Sequence, residues 1–292
     1  MNWKVPYAGA ALTWGSSFWF IKVGLTSFSA LQVGFLRVAI GALTLLLFSA
    51  LTKTAIIRDR RVLGHLFVVA LVLNSAPAVL FAYGETQISS VLAAIMNATT
   101  PLTTLLMTAL LFREQRPTRA QQLGLFVGFI GVLTALGAWK GLGSGELLGV
   151  LACGLAVLGY GISFPYIRHH LSGLPYSSTQ VVTAQVTIAA LQLVPVVAFA
   201  DPSFNAPSMS ATAAMLALGS LGTGFAFVWS NYVIRNSSAT VASTVTYWTP
   251  MVAMVAGVVF LGEDIAWHQP VGVLVVLLGV AATQGRLKLR KA

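Results

Sequence analysis

Residues 88–112 read ISSVLAAIMNATTPLTTLLMTALLF, an apolar stretch of the length that crosses a bilayer as one helix, with a proline near its middle. Residues 238–261 read SATVASTVTYWTPMVAMVAGVVFL and repeat this pattern. The pair Thr100-Pro101 in the first stretch returns as Thr249-Pro250 in the second, 149 positions later. The two stretches predict a membrane protein built from two related halves.

Other matches between the halves lie on both sides of these prolines. An offset of 149 pairs Tyr83 with Tyr232, Ser89 with Ser238, and Glu114 with Glu263. Nearer the start of each half, an offset of 146 pairs Gly15 with Gly161, Ser17 with Ser163, and Lys22 with Arg168. The order and near-constant spacing of these matches predict an internal duplication with halves at 1–143 and 144–292.

Apolar runs fill the rest of the chain, which is predicted to cross the membrane about ten times. The predicted spans are Val5–Ile21, Ala30–Thr52, Gly64–Gly84, Ile88–Phe112, Gln122–Trp139, Glu146–Ile167, Ser177–Phe199, Ser210–Ile234, Ser238–Leu261 and Gln269–Gln284. Five spans in each half is an odd number, so the second half would enter the bilayer in the opposite direction. The expected fold is therefore an all-α membrane protein with two inverted five-helix repeats, an arrangement found in many secondary transporters.

Composition and charge agree with a multi-pass protein of the cell inner membrane, in contact with lipid. Hydrophobic residues make up 57% of the chain and charged residues 8%, far below the charged share of soluble domains. Fourteen of the 17 basic residues lie in connections on the N-terminal side, which predicts that both termini are cytoplasmic. Because these residues are dispersed between apolar runs, the net charge of +10 does not indicate a nucleic-acid partner.

Carboxylates and histidines are absent from the predicted span centres. The acidic residues and the histidines fall in connections or at span ends, where they cannot form a central proton relay. Cys153, the single cysteine, is expected to pack in the interior. No enzyme, metal site or cofactor is predicted, because Ser and Thr at mid-span have no base to activate them. We expect a neutral or zwitterionic substrate that moves down its own gradient.

Paired proline breaks are the best sequence indication of a binding site in a transporter, and Pro101 and Pro250 form such a pair. Polar and aromatic residues at similar depth are expected to surround them. The predicted substrate-binding residues are Trp14, Ser17, Asn74, Phe81, Asn97, Thr100, Pro101, Tyr160, Ser163, Tyr247, Trp248 and Pro250. The prolines could equally be packing kinks, and each of the aromatic residues, taken singly, is more often a core residue than a ligand.

Arg37 is the only strongly basic residue inside a predicted span. It could attract a substrate carboxylate, or it could have a structural or gating role through bonds to backbone carbonyls or to Glu85, and the second interpretation is favoured. Its expected counterpart in the second half is Thr183, so the charge is not repeated. Glycines in the fifth and tenth spans predict close helix contacts, within one chain or in a homodimer.

The sequence resembles the drug/metabolite transporter superfamily, in its ten-helix branch of paired EamA-type domains. The resemblance covers the whole chain and rests on Trp14-Gly15-Ser16-Ser17-Phe18, Leu36-Arg37-Val38-Ala39, Thr100-Pro101-Leu102, Leu111–Glu114, Thr249-Pro250-Met251 and Phe260-Leu261-Gly262-Glu263. Within that family it looks most like the YddG-type exporters of aromatic and neutral amino acids. The resemblance implies a central cavity and export from the cytoplasm.

The predicted function is thus a secondary transporter that exports small neutral or zwitterionic metabolites, above all amino acids, through a central cavity by alternating access. Nucleobases or sugars would also suit an uncharged polar and aromatic cavity. The alternatives from other classes are a lipid-handling or scaffold membrane protein and an ion channel. The protein is expected to act as a monomer or homodimer.

Overall fold

The computed structural model describes residues 4–112, 117–141, 143–171, 173–236 and 245–283. Within these ranges the regular structure is helical and includes no β-strand. Some predicted features lie outside them: Arg113, Glu114, Arg116, Ser238, the basic residues at 286–291 and the side chain of Tyr247.

The helices follow the predicted spans with shifts of a few residues at most ends. They are α1 (Lys4–Gly24), α2 (Ala30–Leu51), α3 (Arg60–Val69), α4 (Ala76–Gln87), α5 (Ser90–Asn97), α6 (Thr100–Met107), α7 (Arg119–Leu136), α8 (Ser144–His170), α9 (Ser178–Ala200), α10 (Met209–Ala217), α11 (Ala226–Asn236), α12 (Val245–Leu261) and α13 (His268–Thr283). Three π-helical segments complete these helices: Ala70–Ser75 between α3 and α4, Thr108–Phe112 after α6, and Leu218–Phe225 between α10 and α11.

The helices have the length and apolarity of a multi-pass membrane protein. In the described part of the chain, seven helical stretches are long and apolar enough to cross a bilayer, and Trp248–Leu261 and His268–Thr283 are shorter apolar helices. Large apolar side chains such as Phe126, Phe129 and Val259 are exposed on the outside of the bundle. Such a surface suits lipid and would be unfavourable in water.

The second helix of each half begins with the same capping box. At α2 the Ser29 hydroxyl accepts a hydrogen bond from the Gln32 backbone N–H, and the Gln32 side chain accepts one from the Ser29 N–H. At α9 Ser177 and Gln180 make the same pair of bonds. A capping box fixes where a helix starts. The two boxes are 148 residues apart, which sets the register between α2 and α9.

Two of the π-helical segments occupy matching places in the two halves. Ala70–Ser75 and Leu218–Phe225 both interrupt a long helix near its middle, and their first residues are 148 positions apart. Pro77 follows the first segment and lacks the N–H that an α-helix would need. Gly219, Gly222 and Gly224 lie in the second segment, where glycine weakens the preference for α-helix. Different residues thus produce the same irregularity.

The two Thr-Pro sites differ in structure, although the sequence predicted a matched pair of breaks. At Pro101 the chain leaves α5 at Asn97 and starts α6 at Thr100, so the span is broken. Pro250 lies inside α12, which continues through it. The prediction of a paired break is therefore wrong for the second half.

The predicted glycine seam joins α7 to α13 within one chain. A Cβ atom added to Gly124 would lie 2.6 Å from the Gly279 carbonyl oxygen, and one added to Gly131 would lie 2.5 Å from the Val276 nitrogen. A Cβ on Gly272 would come within 2.5 Å of the Ala135 nitrogen. The two backbones touch directly, which only glycine permits.

Candidate functional site

A cavity of about 90 Å³ lies between the two halves. This volume can hold several water molecules, since one needs roughly 10–15 Å³ of such space. Its lining comes from both halves: Trp14, Ser17, Phe18, Ile21, Arg37, Leu73, Phe81, Asn97, Thr100, Tyr160, Phe164 and Phe227.

The structure brings many of the predicted site residues together. Trp14, Ser17, Phe81, Asn97, Thr100 and Tyr160 line the cavity, and so does Arg37. Asn74 lines a second, smaller space of about 10 Å³ that shares Arg37 and Tyr160 with the first. The cavity is therefore assembled from α1, α2, the helices around the first π-helical segment, the break at Pro101, α8 and α11.

Other predicted residues do not line it. Ser163 is fully buried and its hydroxyl donates to the Tyr160 carbonyl, which gives it a structural role in α8. Trp248 is 51% exposed, and neither Pro101 nor Pro250 is among the lining residues. Tyr247 is in α12, and its side chain is outside the described part of the chain. The prolines shape the helices instead of facing the cavity.

Arg37 is the only charged residue among the described residues that line the cavity. It is half-buried, and its Nε donates a hydrogen bond of 3.0 Å to Thr223 Oγ1 in the second π-helical segment. This bond crosses from the first half to the second. In the described part of the chain the terminal guanidinium nitrogens have no hydrogen-bond partner. They are available to an anionic group in the cavity.

Two hydroxyl groups present acceptors to the same space. Ser17 donates its hydroxyl hydrogen to the Thr13 carbonyl at 2.8 Å, and Thr100 donates to the Asn97 carbonyl at 2.7 Å. A hydroxyl whose hydrogen is already used offers only its lone pairs. The Asn97 side-chain amide, without a partner among the described residues, can both accept and donate. The cavity thus has one cationic wall and several oxygen acceptors.

Aromatic rings form the remaining walls. Trp14 meets Phe227 edge to face with ring centroids 5.7 Å apart, and Phe81 stacks on Tyr160 at 5.9 Å. Phe18 meets Phe81 edge to face at 5.6 Å. Rings packed in this way give an apolar surface with fixed geometry.

Sequence reasoning missed Phe18, Ile21, Leu73, Phe164 and Phe227. Helical spacing from Trp14 and Ser17 could have indicated Phe18 and Ile21, because residues three and four apart share a face. Leu73 precedes the predicted Asn74. Phe227 had no signal, because the offset of 149 places it opposite Ala78.

Thr183, the residue expected to correspond to Arg37 in the second half, is not its structural equivalent. Thr183 shares a hydrogen bond of 3.1 Å with Ser49. The capping boxes align Arg37 with Gln185, 148 residues later. Gln185 Nε2 donates to Asn74 Oδ1 at 2.5 Å, in the first π-helical segment. Each half therefore sends one side chain from its second helix to the π-helical segment of the other half.

Glu85 is more deeply buried than its place near the end of a predicted span suggested. It lies near the end of α4, as expected of a terminal residue, yet it is 0% exposed. Cys153 packs in the same region, as expected: it is fully buried, and its Sγ would lie 2.5 Å from a Cβ added to Gly84.

The sequence profile of the EamA-like transporter family matches residues 7–137 and again residues 147–283. The chain belongs to this family. Among the described residues, no group of three or more His, Cys, Asp or Glu side chains is arranged to hold a metal ion.

Relatives in the EamA-like family are named as transporters. The chain is 27% identical over 276 residues to the uncharacterized transporter YdfC of Bacillus subtilis, with 93% of this chain and 85% of YdfC covered. It is 25% identical to a probable terminal-alkyne amino-acid exporter of Streptantibioticus cattleyicolor, with 86% and 83% covered. It is 25% identical to the uncharacterized inner membrane transporter YedA of Escherichia coli, with 87% and 81% covered.

A solved crystal structure shares the fold. It superposes with a TM-score of 0.69 at 17% identity and covers 98% of this chain and 99% of its own. The chain is therefore an EamA-family transporter in fold and family, and its relatives are named as transporters and not as enzymes.

Proposed function

We propose that this EamA-family protein is a secondary transporter that exports small neutral or zwitterionic metabolites, with apolar and aromatic amino acids as the first candidates. The observation that supports this most is the cavity between the halves, which combines one guanidinium group, oxygen acceptors and aromatic walls. An amino acid carries an anion, a cation and a side chain that match these three features.

In this proposal each part of the zwitterion meets its own group. The substrate carboxylate bonds the terminal nitrogens of Arg37, whose Nε is already held by Thr223. The ammonium group meets the lone pairs of Ser17 and Thr100 and the Asn97 side chain. An apolar side chain lies against the rings of Trp14, Phe81, Tyr160, Phe164 and Phe227, which would also favour the nearby cation.

Alternating access between two inverted halves is the proposed mechanism. In it, ten spans form two repeats at 1–143 and 144–292, with both termini in the cytoplasm and the protein in the inner membrane. Support comes from the twofold match of the family profile, from the matching π-helical segments and from the reciprocal bonds Arg37–Thr223 and Gln185–Asn74. Two halves with equivalent contacts can exchange conformations and so expose the cavity to each side in turn.

The choice of amino acids has additional support from one relative that is named as a probable exporter of a terminal-alkyne amino acid. The resemblance to YddG-type exporters points to the same class. The cavity chemistry carries the proposal.

The test is counterflow of labelled amino acids in proteoliposomes, with Arg37→Gln as the variant. Loss of one charged hydrogen bond costs about 1.5–3 kcal/mol. We therefore expect kcat/KM to fall about 10- to 100-fold for an amino acid such as phenylalanine. Arg61→Gln removes a charge from an exposed position and should leave kcat/KM unchanged. The matching amine, which lacks the carboxylate, should be transported poorly by both proteins and equally.

Direction needs a separate measurement. Cells that express the protein should grow at concentrations of the amino acid that stop control cells, and the Arg37→Gln variant should not protect them. Counterflow of nucleobases or sugars without amino-acid counterflow would contradict the proposed substrate class. Movement of fluorescent lipid between leaflets without any solute counterflow would contradict the transporter proposal.

A further inference from the structure

Glu85 stands out because it is a buried carboxylate without hydrogen-bond donors. It is 0% exposed, and among the described residues neither of its carboxylate oxygens has a hydrogen-bond partner. Burying a charged carboxylate without donors or a bonded cation is strongly unfavourable. A bound proton removes that charge, and burying the neutral carboxyl group costs much less.

The nearby lysine does not bond the carboxylate. Lys22 Nζ donates to the Glu85 backbone carbonyl at 2.5 Å and to the Ile88 carbonyl at 2.9 Å. Its hydrogen bonds therefore go to the backbone at the end of α4. The Ser90 hydroxyl at the start of α5 is also fully buried and without a partner in the described part of the chain.

Glu263, a second carboxylate close by, has the hydrogen-bond donors that Glu85 lacks. Glu263 accepts hydrogen bonds from the Ser90 N–H at 2.9 Å and the Val91 N–H at 3.3 Å, so it caps α5. It is half-buried, and its two oxygens lie at the N-terminus of α5, where the helix dipole favours a carboxylate. The charged groups that act on Glu85 are Lys22 from α1, Glu263 and Arg37 from α2, and the Cys153 thiol faces it from α8.

The position of this group relates it to the cavity. Phe81 lines the cavity one helical turn before Glu85, and Ile21 lines it next to Lys22. The Glu263 bonds and the stacking of Trp19 on Phe260, with ring centroids 4.3 Å apart, join the two halves at the same end of the bundle. In the proposed topology this is the extracellular end.

We infer that Glu85 is a proton-binding site that controls the opening of this end of the cavity. With the halves joined, the carboxyl group is shut away from water and holds a proton on one oxygen. When the halves separate, Glu263 leaves the start of α5, water reaches Glu85 and the proton passes to water. Because the closed state holds one more proton than the open state, low pH favours closure and high pH favours opening.

This inference goes beyond the proposed function, since it holds for any transported solute and its tests need none. The first test is infrared spectroscopy of the purified protein at neutral pH. A carboxylic-acid carbonyl band should be present in the wild type, absent in Glu85→Gln and retained in Glu146→Gln. Glu146 is an exposed capping residue near the same end of the bundle, so it is the matched control. If the carboxylic-acid band persists in the spectrum of Glu85→Gln, the assignment is overturned.

The second test is hydrogen exchange of the Ser90 and Val91 amides, corrected for intrinsic exchange rates. Their N–H groups become available to solvent only when Glu263 withdraws. When the pH is raised from about 6 to about 8, protection in the wild type should fall about threefold or more, because the closed state holds one more proton than the open state. One linked proton allows up to about tenfold per pH unit.

The variant pair decides the outcome. In Glu85→Gln, which mimics the protonated side chain, protection should be high and independent of pH. Glu146→Gln should behave like the wild type. If amide protection depends on pH equally in the wild type and in Glu85→Gln, the inference is overturned, even if amino-acid transport is found. If the pH dependence of protection is lost in Glu85→Gln alone, the inference is supported, even if no transported solute is found.

Discussion

Arg37 and Gln185 hold corresponding places in the two halves and do different work. Each lies on the second helix of its half and reaches the π-helical segment of the other half, Arg37 to Thr223 and Gln185 to Asn74. Gln185 and Asn74 are 3% and 4% exposed, whereas Arg37 is half-buried and faces the cavity. The first half therefore offers a charge to the cavity, and the second half seals a neutral amide pair.

The difference shows how a duplicated fold can build a one-sided site. Both bonds hold the halves together at equivalent points. A neutral pair suits the position without solvent, where a charge would be costly, and a guanidinium suits the position with water and room for an anion. The geometry of the repeat is kept while its chemistry is not.

The largest effect is expected when the second half is given the chemistry of the first. Gln185→Arg would place a charge at a position that is 3% exposed and faces a neutral amide, and should lower the free energy of unfolding by about 3 kcal/mol or more. Unfolding in detergent micelles measures this. Gln122→Arg makes the same change at an exposed position and should stay within about 0.5 kcal/mol of the wild type. Wild-type stability of Gln185→Arg would show that the site is not sealed.

An intermediate effect is expected when the amide pair is cut on one side. Asn74→Leu leaves Gln185 Nε2 buried without its acceptor and should cost about 1–3 kcal/mol in the free energy of unfolding. Gln185→Leu should cost a similar amount, for the converse reason. The double variant leaves no buried amide without a partner, so its cost should be at least about 0.5 kcal/mol less than the sum of the two. Strict additivity would contradict the pairing.

The smallest effect is expected at the bond that faces the cavity. Thr223→Val keeps the shape of the side chain and removes the acceptor for Arg37 Nε. Thr223 is itself buried, but Arg37 is half-buried and lines a cavity with room for water, so water there can accept from Nε in its place. The free energy of unfolding should therefore fall by less than about 1 kcal/mol. The same unfolding measurement applies. A loss above about 2 kcal/mol would mean that both bonds are equally shut off from water.

The positions of most helices could be predicted from the sequence because lipid imposes strong rules on apolar length. Apolar length located the helices, and the Thr-Pro pair gave an offset near the true one. The side-chain equivalences needed more than that. An offset of 146 chose Thr183 as the counterpart of Arg37, and the capping boxes at Ser29 and Ser177 correct it to 148.

The cavity was predicted in part for a similar reason. Residues at the right depth, such as Trp14 and Asn97, were found, but depth does not say which face of a helix points inward. Ser163 has the right depth and turns into the protein, while Phe227 was invisible because its register depends on a π-helical segment. Glu85 was judged from its place near a helix end, and burial there depends on neighbours that sequence does not reveal.

The contact between α7 and α13 has a mechanical consequence. Gly124 and Gly131 of one half touch the backbone of the other with no side-chain layer between them. Side chains that change rotamer let helices slide past one another, and the two glycines carry no such side chain. We therefore expect α7 and α13 to move together as one rigid unit. A rotation of one half relative to the other would then have its axis at this pair of helices.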